Sequence, residues 1–452
     1  MTQTATTKTA PGPKGLPVIG NVMQLGGADI LTRYIELWKE YGDIFYLKLG
    51  PLDSFVLANP EHVHHVLVKN QTNYIKGIGY DGFRLLVGQG LVTSDGELWR
   101  QQRRLMQPPF TPKAITQFTQ MMVDVTAQML DRWQAYAQRS ETVTMDAEMM
   151  RLTMSIIGRA MFSIDLGEEL TEVGDALHRA FGFIPERAQG GIALPLSVPT
   201  PKHRRFKQDL EIIDGFIQRR IEEGRRNPNQ DNLLSILLQS RDEETGQGMS
   251  EEQLRDEVVT LFFAGFETTA RSLTWALYLI AHHPEVADKL EAESDAVLQG
   301  RAPVVDDLFN LTYTRMVVDE VLRLYPPTAL LARQNVADDV IGGYPVPAKS
   351  MIVLIPFLIH RYPSVWPDAE RFDPERFRPE AVDARPRNAY IPFASGPRVC
   401  LGNNFALMEM TLALSMIAAR YRLSQAPLET IPHEFAGTIR PTKALRMKIE
   451  AR

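Results

Sequence analysis

The chain has 452 residues, 44% hydrophobic and 23% charged, with 49 Lys and Arg against 55 Asp and Glu for a net charge of −6. That apolar fraction and mild charge exclude a disordered chain, and the acidic balance lacks the basic excess of a general nucleic-acid binder. A single cysteine, Cys400, excludes intramolecular disulfides and multi-cysteine zinc or iron–sulfur sites, so any sulfur chemistry rests on that residue.

Residues 1–9 (MTQTATTKT) are polar and expected to be disordered. No secretory signal is visible, and no run reaches the roughly 18 apolar residues of a membrane span, so a cytoplasmic protein without a transmembrane anchor is expected. Residues 10–21 form a proline- and glycine-rich lead-in. Helical spacing follows at 30–41, and two alternating runs, 44–49 and 54–57, flank Gly50-Pro51 as a β-hairpin. From Glu61 the pattern turns helical, with amphipathic stretches at 114–137, 146–161, 202–223, 251–282, 284–298 and 313–324. Prolines and paired glycines in 181–200 interrupt it. Short strands return at 351–355 and near the carboxyl end, and 359–388 reads as an irregular surface meander. No repeat or linker divides the chain. Residues 10–452 are therefore expected to form one domain, mainly α with small β-sheets.

Several signals resemble chemistry without its context. Gly77, Gly79 and Gly82 have GxGxxG spacing, but no apolar strand precedes them, so a flexible loop is the better reading. His62, His64 and His65 read as a polar helix face rather than a metal site. Residues 202–207 (KHRRFK) read as a solvated face. No GxSxG elbow, HExxH motif or P-loop is present.

The informative stretch is Phe393-Ala394-Ser395-Gly396-Pro397-Arg398-Val399-Cys400-Leu401-Gly402, followed by an apolar helical run over 403–419. A bend at Gly396 delivers a thiol to a helix start, where the helix dipole favours a thiolate. Phe393 can shield that sulfur and Arg398 sets a cation beside it. A thiolate, an apolar shield and an arginine suggest a metal cofactor that carries carboxylates.

This run has the F-x-x-G-x-R-x-C-x-G form of the haem-binding loop of cytochromes P450, which the chain resembles over essentially its whole length. The resemblance implies a P450 fold with haem b between the long central helix and the cysteine-loop helix. Cys400 would be the proximal ligand of its iron, Phe393 would tune the sulfur, and Gly402 would close the loop. Arg398 would pair with a haem propionate. Within 251–282, Ala264-Gly265-Phe266-Glu267-Thr268-Thr269 is similar to the family's oxygen-side motif. Thr268 can bond back to the Ala264 carbonyl, and the resemblance gives Glu267 and Thr268 proton delivery as a general-acid pair. Glu320 and Arg323 resemble the family's E-x-x-R, and Arg376 its downstream arginine, a network that locks the meander to the core. Trp99 and Arg103 resemble W-R-x-x-R, which holds a propionate, and Arg333 and Lys76 are further propionate candidates.

The implied activity is insertion of one oxygen atom from dioxygen into a hydrophobic small molecule such as a fatty acid, terpenoid or steroid. Electrons would come from a ferredoxin or flavodoxin with its reductase, with NAD(P)H involved only indirectly, and a monomer is expected. Val92, Phe181 with the lid residues up to 196, Phe263, Ala264, Thr328 and Leu330 would line the substrate pocket. Peroxide-driven peroxygenases and P450-like isomerases or dehydratases are the alternatives, and the Glu267–Thr268 pair weighs against both. A non-enzymatic haem sensor is the remote one.

Overall fold

Ile44–Leu49 and Leu52–Leu57 pair as an antiparallel hairpin, Ile44 opposite Leu57 and Leu49 opposite Leu52, that buries Phe45, Leu47 and Val56 on one face and Ile44, Phe55 and Leu57 on the other. The computed structural model describes residues 9–25, 29–165, 167–189, 194–228 and 230–452, side chains of 185–189 excepted. The hairpin is one edge of a five-stranded sheet that continues through Met351–Leu354 and Leu331–Asn335 to Tyr74–Ile75. Leu52–Leu57 runs parallel to Met351–Leu354 and the other pairs are antiparallel. The proline-rich lead-in lies along the hairpin, where the Tyr46 N–H donates to the Pro11 carbonyl at 2.7 Å.

Most of the chain is helical and surrounds Glu251–His282, a 32-residue central helix whose start is capped by Ser250, which accepts the Gln253 N–H at 3.1 Å. It is buried along most of its length, so its residues lack the one-sided pattern of a surface helix. Met145–Phe162 packs against it, and Gly265 sets that contact: a Cβ there would lie 2.6 Å from Ile157. Asn403–Arg420, apolar all round and buried, follows the cysteine loop on the other side of the core. A three-stranded sheet of Thr142–Thr144, Arg446–Ala451 and Tyr421–Gln425 ties the carboxyl end to the helices. Among the described residues no helix is long and apolar enough to cross a membrane.

The chain is thus one mainly α domain with small sheets, as the residue pattern predicts. Residues 30–41, 251–282 and 284–298 coincide with observed helices. The predicted helix over 114–137 is instead two pieces, Pro112–Ile115 and Thr119–Arg139, joined by a 3-10 turn. The interruption expected from 181 begins late, because the helix from Glu168 continues to Gln189. The expectation for 1–9 falls, apart from Thr9, outside the described residues, as do lid residues 190–193.

The GxGxxG segment is an ordered 3-10 turn, Gly77–Tyr80, leading into the helix Asp81–Val87, and not a flexible loop. Its glycines answer to packing: a Cβ would meet Gln334 at 2.4 Å from Gly77, Ala332 at 2.7 Å from Gly79 and Ile184 at 2.7 Å from Gly82. The three histidines diverge. His64 contacts Asn388, His65 contacts Asp339 at 2.8 Å, and His62 packs beside Gly342. The 202–207 face is only partly solvated, since His203 and Phe206 are buried.

Candidate active site

One side of the central helix and the cysteine loop border a common cavity of about 380 Å³. Phe263, Ala264 and Thr268 reach it from the helix, and Phe393, Arg398, Cys400 and Gly402 from the loop. Trp99, Arg103, Arg333 and Lys76 also border it, as do Val92, Phe181, Thr328 and Leu330. The residues expected at the cofactor or substrate are therefore gathered here, except Glu267 and the described lid residues after Phe181, which do not border the cavity.

The loop geometry starts at Gly396, whose φ of +71° suits glycine and whose Cβ would lie 2.1 Å from the Leu67 carbonyl oxygen. The 3-10 turn Gly396–Arg398 then turns the chain so that the Cys400 N–H donates to the Phe393 carbonyl at 2.9 Å. Cys400 is accessible from the cavity. The Gly402 N–H bonds its sulfur and Arg103 supplies positive charge, yet burial outweighs both and pushes the thiol up. The thiolate expected from the helix start is thus not formed by the protein alone. Asn403–Arg420 begins beyond the sulfur, and a coordinating cation is what deprotonates a thiol in such surroundings.

Around the same cavity stand Lys76, Arg103, Arg333 and Arg398, and among its described lining residues there is no carboxylate. Arg398 donates to the Ser94 carbonyl at 2.9 Å and to Asp95 Oδ1 at 2.7 Å, and its guanidinium lies 4.3 Å from the centre of the Trp99 ring. Burial brings Arg398 down to about 10, although Asp95 opposes it. Lys76 sits over the Tyr80 ring at 4.2 Å, and burial together with the charges of Arg333 and Arg398 pushes it well below the usual lysine range. Among the described residues Asp95 is the one carboxylate bonded to this buried set of cations, which is therefore electrostatically incomplete. Two carboxylates carried by a flat apolar group complete it, so this donor set fits haem.

On the opposite wall the Thr268 hydroxyl donates to the Ala264 carbonyl at 2.9 Å, as its spacing predicts. Glu267 lies off the cavity and is buried in a network. Arg271 Nε donates to its Oε1 at 3.0 Å, Thr438 Oγ1 donates to the same oxygen at 3.2 Å, and His178 Nδ1 lies 3.2 Å from Oε2. Burial raises the Glu267 carboxyl, but His178 and Arg271 outweigh it and hold the group at about 2. Glu267 is therefore ionised at neutral pH, unlike the proton-bearing acid of the expected pair. Arg271 was within reach of sequence reasoning, one turn along the helix. His178 and Thr438 come from remote segments that carry no local signal.

Behind the cysteine loop, Arg323 uses all five guanidinium hydrogens. Two go to Glu320, at 2.6 and 2.8 Å, and three to the carbonyls of His360, Ala369 and Arg371. Arg376 is 3.6 Å from Glu320 and also donates to the Asp368 carbonyl at 3.0 Å. Arg323 thus stitches the meander to the helix Thr312–Leu324, and the buried Arg361 adds a second tie by donating to the Leu324 carbonyl at 3.0 Å.

The family model for cytochrome P450 matches residues 10–449. The chain belongs to the cytochrome P450 family. It is 35% identical over 428 residues to the cyclooctat-9-en-7-ol 5-monooxygenase of Streptomyces melanosporofaciens, covering 94% of this chain and 91% of that protein. It is 32% identical to the pentalenene oxygenase of Streptomyces avermitilis, over 98% and 97% of the two chains. The carotene epsilon-monooxygenase of Arabidopsis thaliana is also 32% identical, over 95% of this chain and 83% of its own. This P450 is a haem-dependent monooxygenase of hydrophobic small molecules, supplied with electrons from NAD(P)H through redox partners.

Proposed function

We propose that this P450 oxidises a terpenoid-sized lipophile and that Cys400 would hold its haem iron through the thiolate. The observation that carries this reading is the shared cavity, with an isolated thiol on one wall, Thr268 on the other and four cations along its edge. Haem b bound there supplies reductive activation of dioxygen and transfer of one oxygen atom to a C–H bond or double bond. Arg398, Arg103, Arg333 and Lys76 neutralise the propionates, and Trp99 packs under Arg398. Phe393 and Gly402 shield and bond the sulfur. Thr268 presents the hydroxyl that holds a proton at the reacting space. Glu267, held ionised behind it, orients the hydroxyl of Thr438, which also borders the cavity.

Phe181 and Phe263, whose rings lie 4.4 Å apart, roof the cavity with Val92, Ala264 and Leu330, a lining suited to a hydrocarbon skeleton. The activities for which the two Streptomyces relatives are named support a terpenoid over a fatty acid. The helix Gly96–Met106, tied through Arg103 to the Val399 carbonyl beside Cys400, carries the exposed Arg100, and docking of a ferredoxin or flavodoxin on this side belongs to the same proposal. A cytoplasmic setting belongs to the same proposal and agrees with a lone free thiol.

The deciding experiment is the carbon monoxide difference spectrum of the reduced protein, wild type against Cys400→Ser. The wild type shows the red-shifted thiolate band and the variant does not; the same spectrum from both removes Cys400 from the iron. Labelled dioxygen then separates the reactions, since full turnover on peroxide with no label in the product establishes a peroxygenase.

A further inference from the structure

The central helix carries two buried polar side chains that the chemistry above leaves unused. Glu257 and Thr260 stand one turn apart on one face of the helix. Glu257 Oε2 accepts the Leu91 N–H at 2.9 Å, whereas its Oε1 has no partner, and the Thr260 hydroxyl has none. Burial pushes the Glu257 carboxyl up to about 8, so it is protonated at neutral pH. Because Oε2 already accepts a hydrogen bond, the proton belongs on Oε1, where it is an unsatisfied donor.

Leu91 and Thr260 both border the cavity, in a stretch of wall completed by the apolar Phe83, Val87 and Met161. Buried polar groups in native proteins are almost always hydrogen-bonded, so the orphaned hydroxyl of Thr260 in the cavity wall, with the orphaned Glu257 oxygen one turn before it and off the cavity, marks where a ligand brings the partner. The Thr260 hydroxyl is turned against Gly90, where a Cβ would lie 2.2 Å from Oγ1. Threonine in a helix divides between two χ1 rotamers, and the second swings this hydroxyl away from Gly90.

We propose that Thr260, supported by Glu257 one turn before it, forms a polar subsite for a hydroxyl or carbonyl oxygen of the substrate, so that the preferred substrate is a lipophile already carrying one oxygen function. This rests on the monooxygenase reading above and sharpens its substrate class. Thr260 lies eight residues before Thr268, about 12 Å along the helix axis, so the subsite is separate from the part of the wall that carries Thr268. A hydration or an earlier oxygenation of a hydrocarbon must then supply the substrate.

The test uses the haem-loaded protein and the low-to-high spin change on ligand binding. The probes are two sesquiterpene alcohols, cedrol and patchoulol, each against its deoxy hydrocarbon, cedrane and patchoulane. The wild type is expected to bind each alcohol roughly tenfold more tightly than its hydrocarbon, the worth of one well-made hydrogen bond. Thr260→Val, nearly isosteric, abolishes the preference by weakening the alcohols while leaving the hydrocarbons unchanged. Glu257→Gln, which keeps an acceptor for the Leu91 N–H, reduces it. Equal affinities in the wild type, a preference that survives in Thr260→Val, or an equal loss of all four ligands overturns the subsite. A protein with its thiolate carbon monoxide band intact but no spin response to any of the four overturns the lipophile reading and the subsite with it.

Discussion

Arg103 donates through Nη1 to the carbonyl oxygen of Val399 at 2.9 Å, so the helix Gly96–Met106 is fastened to the residue immediately before Cys400. The same guanidinium lowers the pKa of the thiol against the effect of burial. Arg103→Ala removes a charged donor worth about 1.5–3 kcal/mol and a cavity cation together. Haem retention should fall, by roughly ten- to a hundredfold in affinity, measured as transfer of haem to apomyoglobin.

Gly396→Ala should be more disruptive than its size suggests. The new methyl would meet the backbone oxygen of Leu67 in a left-handed residue, and neither can move without shifting the cysteine loop. The expected outcome is folded protein with normal far-ultraviolet circular dichroism and a low haem-to-protein ratio. Full haem content would show that the loop tolerates the shift.

Arg323→Lys should fail almost as badly as Arg323→Ala. A lysine offers three donors where five are used, and removing one partner of a buried charge pair costs about 3–5 kcal/mol. Arg376→Ala should be milder, because Arg376 stands at the rim of that network, 3.6 Å from Glu320. Thermal melts of the three variants order them.

Glu257 gives stability a pH dependence of definite sign. Its carboxyl is raised by burial from an ordinary 4.5 to about 8, so between those values the unfolded chain has released a proton that the folded one keeps. Stability contributed by this group therefore declines as pH rises from about 4.5 to about 8 and then levels off. Denaturant midpoints for the wild type should drop relative to Glu257→Gln across that window. A constant difference between the two proteins would place the proton elsewhere.

Much of this architecture was legible in the residues alone, and the reason differs by element. The helices at 30–41 and 251–282 have strong end signals, Asp29 and Ser250 accepting backbone N–H groups at their starts. The cysteine loop is legible because a lone thiol with fixed neighbours is a local pattern. The helix Glu168–Gln189 was not, since prolines and glycines from 181 onward read as an interruption while packing against the helix Pro201–Arg226 keeps it going. Glu267 illustrates the limit at the site. Its acid beside a hydroxyl suggested a resident proton, but the state of that carboxyl is decided by Arg271 together with His178, which only folding brings near.

The isolation of the one thiol has a practical side. Cys400 is the sole cysteine and is accessible from the cavity, so a maleimide has a single target in this protein. If the sulfur is on iron, labelling is blocked in haem-loaded molecules and proceeds in those without haem. The chain thereby carries its own chemical reporter of cofactor occupancy, readable by mass spectrometry without any engineered residue.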